Sequence, residues 1–316
     1  MTLEFVPTVS VIIPIYNGEA DLPGLLEAIY QQNYPVTAVE YLLVDNNSSD
    51  RTAAILTQAV QYATEKGLNL QYLSETEIQS SYAARNRAIR AAVGEILVFT
   101  DADCRPDADW LTQIVQPFVQ DHIALVVGEI QALPGNTWLE QYAERVDMMS
   151  QKWLVEHPFS PYGQTANLAI RQLAIAEVGL FRPYLTSGGD ADLCWRIQSQ
   201  TQWQLAYAPH ALVYHRHRSN LGDFYQQWRR YGSSNRYLHE LHGVELGPEL
   251  TFSATVYRLS RWLLKEVLLD TLKIVTGEGQ PIDLLKTPIG LIGFQARSIG
   301  QKQAKLPELA RRIDYF

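Results

Sequence analysis

Between residues 9 and 130, short apolar runs alternate with amphipathic stretches, and no other feature of the chain limits its fold as much. Residues 9–15 read Val-Ser-Val-Ile-Ile-Pro-Ile, a run short and apolar enough for a buried strand. Residues 19–32 follow, with Leu22, Leu25, Leu26 and Ile29 on one helical face. The pattern then repeats. Residues 41–44 read as a strand, and 51–65 as a helix behind the capping candidates Ser48, Ser49 and Asp50. Residues 70–73 form a weaker strand, 82–93 a helix, 96–99 a strand, 107–119 a helix and 123–130 a strand. Strand and helix in alternation predict an α/β fold: a mainly parallel, mixed central sheet flanked by helices.

Past residue 135 the alternation weakens. Residues 138–153 read as helix and 162–170 as a strand returning to the sheet. The Gly-rich loop LTSGGDAD, 185–192, leads into a further helix. Residues 205–214 are strand-like in pieces, and from about 219 the chain is mostly helical. The expected division is an α/β catalytic domain over 1–235 and a helical C-terminal region over 236–316. Composition narrows the partners. With 26 Lys and Arg against 34 Asp and Glu, the net charge is -8, a field that repels nucleic acid. Two cysteines form no disulfide framework, which points to a reducing, cytoplasmic compartment. The N-terminus lacks the basic start and cleavage site of a signal peptide and reads as the start of the fold. No apolar run reaches the roughly 18 residues of a spanning helix.

In open α/β sheets, ligands bind beyond the carboxyl ends of the strands. Polar clusters collect at those ends: Tyr16-Asn17-Gly18 after the first strand, Asp45 to Asp50 after the second, and Thr100-Asp101-Ala102-Asp103 after the fourth. Asp101 and Asp103, two apart in extended chain, point to one side. Such a pair repels unless a cation lies between, and a hard divalent ion, Mg2+ or Mn2+, fits oxygen ligands. The competing reading is a turn and cap cluster, since Asp107 and Asp109 follow. Further along, Arg196 stands one helical turn after Asp192 and can pair with it. His215 and His217 have no cysteine nearby and make a poor zinc site.

The stretches VSVIIPIYNGEADLPGLLEAIYQQNYP, YLLVDNNSSDRT, AARNRAI, GEILVFTDADC and GGDADLCWR occur in one order over residues 8–235. Together they resemble the family 2 glycosyltransferases, inverting enzymes of the GT-A nucleotide-diphospho-sugar transferase fold. The resemblance implies a donor pocket edged by Pro14, Tyr16 and Asn17. It implies Asp45 on the base or ribose and Arg85 near the nucleotide. It assigns Asp101 to ribose or metal-bound water and Asp103 to a Mn2+ or Mg2+ ion on the diphosphate, in a DxD motif. It makes Asp190 the general base, with Asp192 the other carboxylate in range of that alignment and Asp192 and Arg196 in support. The family usually carries Glu before this Asp, where this chain has Gly189. His215 is the candidate to complete the metal or diphosphate shell. Gln227 to Gly232 resembles an Arg-Tyr-Gly stretch of the family. The implied reaction moves a sugar, from UDP-sugar in the first instance, to an acceptor hydroxyl on a glycan or a lipid-linked carrier, in polysaccharide, glycolipid or cell-envelope synthesis.

Residues 255–275 are amphipathic, with Arg258, Arg261, Lys265 and Lys273 among leucines. The charges exclude a spanning helix. The segment 255–297 therefore either lies against a membrane surface, at the inner face of the plasma membrane, or packs on protein, including a second copy. The sequence leaves the oligomeric state open. Two rivals to transfer are a nucleotide-sugar-binding protein without turnover and a phosphatase-like hydrolase built on Asp-x-Asp. The binder needs no base at Asp190. The hydrolase places its motif on an early strand.

Overall fold

A computed structural model of the chain describes residues 5–316, so the first four residues of the N-terminal reading lie outside it. The apolar run that opens the alternation is strand β1, Val9–Ile15, buried along its whole length. It pairs in parallel with β2 (Val39–Asp45), which pairs in parallel with β3 (Asn69–Ser74). On its other side β1 pairs in parallel with β4 (Ile96–Phe99). β2 and β4 are fully buried too, which is why their sequences show no polar alternation. Helices α1 (Leu22–Tyr30), α2 (Thr52–Glu65) and α3 (Ser81–Ala91) make the crossovers.

The rest of the sheet is antiparallel where its pairing is defined. A short strand β5 (Cys104–Pro106) pairs with β8 (Gln204–His215). β6 (Ile123–Ala132) pairs with β7 (Leu168–Arg171), and β7 pairs with β4. The order is β3-β2-β1-β4-β7-β6-β8-β5. Helix α4 is shorter than its sequence pattern, Trp110–Val115, and continues as a 3-10 turn. Pro117 has no N–H for the α ladder there. The pattern over 138–153 also breaks. Helix α5, Trp138–Arg145, opens on a Thr137–Glu140 capping box and ends before Asp147, whose φ is 47°. The returning strand is only β7, followed by α6 (Gln172–Val178) and α7 (Gly189–Gln200).

The chain falls into two compact units. One holds the described residues up to Gln131 with Ser150–His215 and Pro307–Phe316, and so carries the sheet. The other holds Ala132–Met149 and Arg216–Leu306. Its core is Leu139, Tyr142, Phe224, Ile282 and Ile289. Helices α8 (Leu221–His242) and α11 (Lys286–Gln303) cross at two glycines: a Cβ on Gly232 would lie 2.0 Å from the Arg297 carbonyl oxygen, and one on Gly300 2.0 Å from that of Arg229. Gly232, the end of the Arg-Tyr-Gly stretch, thus lets two backbones touch. The buried Asp283 carboxylate accepts from Arg145 at 2.7 and 3.2 Å and from the Gln280 N–H at 2.9 Å. The remaining helices of this unit, α9 (Phe252–Arg261) and α10 (Val267–Val275), join through a π-helical turn, and neither buries a residue. Among the described residues, no helix is long and apolar enough to cross a membrane.

Candidate active site

The parallel strands end together at one edge of the first unit, in register: Ile15 stands opposite Asp45. The loops that follow are tied to each other. The Asn17 N–H donates to Ser48 Oγ at 2.8 Å, and Asn17 Oδ1 accepts from the Ser49 N–H at 2.8 Å. Asn17 does so from φ 49°, a conformation its short polar side chain tolerates. Asp50 accepts from the Thr52 N–H at 3.0 Å and the Glu19 N–H at 3.0 Å, which makes it a cap and a loop tie. Pro14 is buried inside β1, and Tyr16 is 58% exposed at the rim. Asp45 lies deeper, 6% exposed, accepting from the Ser48 N–H at 2.9 Å and from the Tyr72 hydroxyl at 3.3 Å.

A second group gathers after β4. Arg85 projects from α3, nearly fully buried, and its Nη2 meets Asp101 Oδ1 at 2.6 Å. A third of the Asp101 side chain stays exposed. Two residues on, Asp103 Oδ1 lies 3.5 Å from His215 Nε2. The β5–β8 pairing explains that meeting, because Cys104 stands opposite His215 in register. Asp103 and His215 thus bring one carboxylate oxygen and one imidazole nitrogen within 3.5 Å of each other. That is a mixed donor pair of the sort divalent ions accept. Among the described residues, no group of three or more His, Cys, Asp and Glu is arranged to hold a metal.

Asp190 sits in the first turn of α7 and is half-buried. Its oxygens accept from the Thr165 N–H at 3.3 Å and the Thr165 hydroxyl at 3.2 Å. Burial pushes its carboxyl above the ordinary range; the nearby Arg85 opposes that rise, and Asp101 adds to it. Asp190, Arg85 and Asp101 therefore feel one another's charge. Asp192 differs sharply. It is fully buried between Arg182 Nε and Arg196 Nε, each at 3.0 Å. Arg196 also donates to the carbonyls of Val178 and Leu180, both at 2.7 Å. The Asp192–Arg196 pair expected from one-turn spacing is present, and it braces α7 from behind.

Three residues at this site went unread in the sequence. Thr165 holds Asp190 and carries no local signal. Arg182 pairs with Asp192 across a loop. Tyr82 stands three residues before Arg85, on the same helical face, which was the one signal available. The thiols Cys104 and Cys194 are buried; burial raises both pKa values, that of Cys194 to about 12, as suits packing residues.

The sequence pattern of the family described as glycosyl transferase family 2 matches residues 10–184. Glycosyltransferase AglE of Haloferax volcanii is 33% identical over 260 residues, covering 82% of this chain and 80% of that relative. The pre-mycofactocin glycosyltransferase of Mycobacterium tuberculosis is 27% identical over 264 residues, and this chain spans 53% of its length. Among solved structures, mannosyltransferase PcManGT from Pyrobaculum calidifontis, in complex with GDP-Man and Mn2+, aligns with a TM-score of 0.66. It shares 18% identity, over 95% of this chain and 88% of that one, a likeness of fold.

Proposed function

This chain belongs to glycosyl transferase family 2 and is a glycosyltransferase, and from that premise we propose that it transfers a sugar with inversion from a nucleotide-diphospho-sugar to an acceptor hydroxyl. The observation that carries this reading is Asp190: a half-buried carboxylate, held by Thr165, with its proton affinity raised, beside the Arg85–Asp101 pair at the carboxyl edge of the sheet. A base with those properties suits removal of a hydroxyl proton. Asp192, enclosed by two guanidinium groups, suits bracing.

The acceptor O–H proton passes to an oxygen of Asp190. The acceptor oxygen bonds to the anomeric carbon, and the bond from that carbon to the diphosphate breaks on the opposite face, its electron pair leaving with the nucleoside diphosphate. Tyr16 and Asn17 border the nucleoside, with Pro14 beneath them; Asp45 is assigned to base or ribose, and Asp101 to ribose or metal-bound water. Arg85 adds positive charge where the diphosphate gathers negative charge. Asp103 and His215 would hold a divalent ion, with the donor's phosphate oxygens completing its shell. Such an ion, when bound, neutralises charge on the leaving diphosphate. The carboxylate suits Mn2+ or Mg2+, and the Mn2+ bound by the Pyrobaculum mannosyltransferase supports the first of these.

We assign transfer to the catalytic region 1–235. The helical region 236–316 is assigned to contact with an anionic membrane surface on the cytoplasmic side, which suits a lipid-linked or glycan acceptor. The support is the exposed apolar run of the π-helical turn and α10: Leu263, Leu264, Leu268, Leu272 and Val275, with Lys265 and Lys273 among them beside Glu266 and Asp270.

The test is a panel of UDP-, GDP- and dTDP-sugars with Mn2+, read by release of nucleoside diphosphate and by proton NMR of the new linkage. The expected result is one preferred donor, UDP-linked on the sequence reading, and a product of inverted anomeric configuration. Retained configuration would overturn inversion. Binding without turnover would favour the binding-protein reading, and release of inorganic phosphate the hydrolase.

A further inference from the structure

We infer that Tyr82 is a positioning residue for transfer, setting both the base-bearing turn of α7 and the arginine beside it; the inference rests on Asp190 being the base. Tyr82 lies in the first turn of α3 and is 5% exposed. Its hydroxyl accepts from the Gly189 N–H at 2.9 Å. Gly189 is the first residue of α7, immediately before Asp190. The first N–H groups of a helix have no partner within it, so this bond supplies one and fixes the backbone from which Asp190 projects.

The ring of Tyr82 makes the second connection. The Arg85 guanidinium carbon lies 5.5 Å from its centroid, within cation–π range. The other face of the relation is fixed by Phe181, stacked at 5.5 Å and 21°. Phe181 is itself held by Asn86, which donates to its carbonyl at 2.8 Å and accepts from its N–H at 3.1 Å. Tyr82 therefore has no free room to swing. One side chain reaches the residue before the base through its hydroxyl and Arg85 through its ring.

A Cβ at Gly189 would lie 2.7 Å from Tyr82 Cζ and 2.8 Å from Cε1. A glycine at 189 is what admits the Tyr82 ring against the start of α7. Tyr82 and Gly189 form one unit, and substitutions at the two positions should be coupled.

Tyr82→Phe removes the hydroxyl and keeps the ring. Expected is a fall in kcat of about tenfold, the effect of one hydrogen bond's worth of misplacement, with the KM for donor within about twofold of wild type. Gly189→Ala should lose activity by crowding the ring, and adding Tyr82→Ala should restore part of it. A purely structural role would lower the melting temperature and leave kcat of the folded enzyme unchanged. Unchanged kcat in Tyr82→Phe, or strictly additive losses in the Gly189→Ala/Tyr82→Ala pair, overturns the inference. Asp190→Asn, run alongside, separates the two claims. If it keeps turnover, the base assignment and the inference fall together; if it is inactive while Tyr82→Phe is unaffected, only the inference falls.

Discussion

At the residue scale the two acidic groups of α7 differ by what surrounds them. Asp192 sits between two arginines, while Asp190 has a threonine and part of its surface open. Burial raises the Asp190 pKa from its ordinary 3.8. The folded chain then holds this proton more tightly than the unfolded chain. Stability falls as pH rises from the unfolded value through the raised one. Asp190→Asn should thus lose transfer by about 10² to 10⁴ while keeping nucleotide affinity, and should melt higher than wild type at pH 7. The melting gain should vanish below the ordinary carboxyl range, and the acid limb of wild-type kcat/KM should lie above it. A variant that melts lower at pH 7, or transfers normally, contradicts this. The Asp103–His215 pair makes a separate prediction. Calorimetry of UDP or GDP should show affinity rising with Mn2+ for wild type and flat for Asp103→Ala. His215→Asn should weaken the Mn2+ effect, since it removes the imidazole nitrogen that lies 3.5 Å from Asp103. Equal affinity in EDTA and Mn2+ for wild type would remove the ion from the site.

At the scale of elements, what was legible followed from local pattern. β1, β2 and β4 are buried on both faces and so read as unbroken apolar runs. β5 has only three residues in a polar loop, and its existence depends on β8 being beside it, more than 100 residues later. Yet β5 is what brings His215 to Asp103. The direction of β7 was equally hidden, because a strand's residues do not encode which neighbour it will meet. The α8–α11 crossing rests on two glycines whose role appears only when the helices touch. Gly300→Val should therefore lower stability by at least about 2 kcal/mol, read as a shift in the urea midpoint, because its side chain meets the Arg229 carbonyl. Gly277, whose added Cβ would meet nothing within 4 Å, serves as the reference site, though its positive φ adds strain of its own. A midpoint unchanged in Gly300→Val would mean the helices separate without cost.

At the scale of the whole molecule, the exposed apolar run of the π-helical turn and α10 is a feature that glycosyl transfer itself does not use. Burying each leucine in lipid contributes about 1.5–3 kcal/mol, and each basic residue near an anionic surface about 1 kcal/mol, offset in part by Glu266 and Asp270, which pair with Arg261 and Lys273. The chain should float with phosphatidylglycerol-containing vesicles, and Leu264→Glu/Leu268→Glu should leave it at the bottom of the gradient. A wild-type chain that does not float, and sediments as a dimer that the same double variant dissociates, assigns the run to a second copy instead. The sequence alone determined the alternation of strand and helix, the gathering of polar residues at strand ends, and the family, because apolar periodicity and motif order are properties of neighbours along the chain. The tertiary structure decided which carboxylate is enclosed and which stays open, that His215 faces Asp103, and that Tyr82 fills the place beside Gly189. Those are distances between residues far apart in sequence, and they follow from the order in which the strands pair.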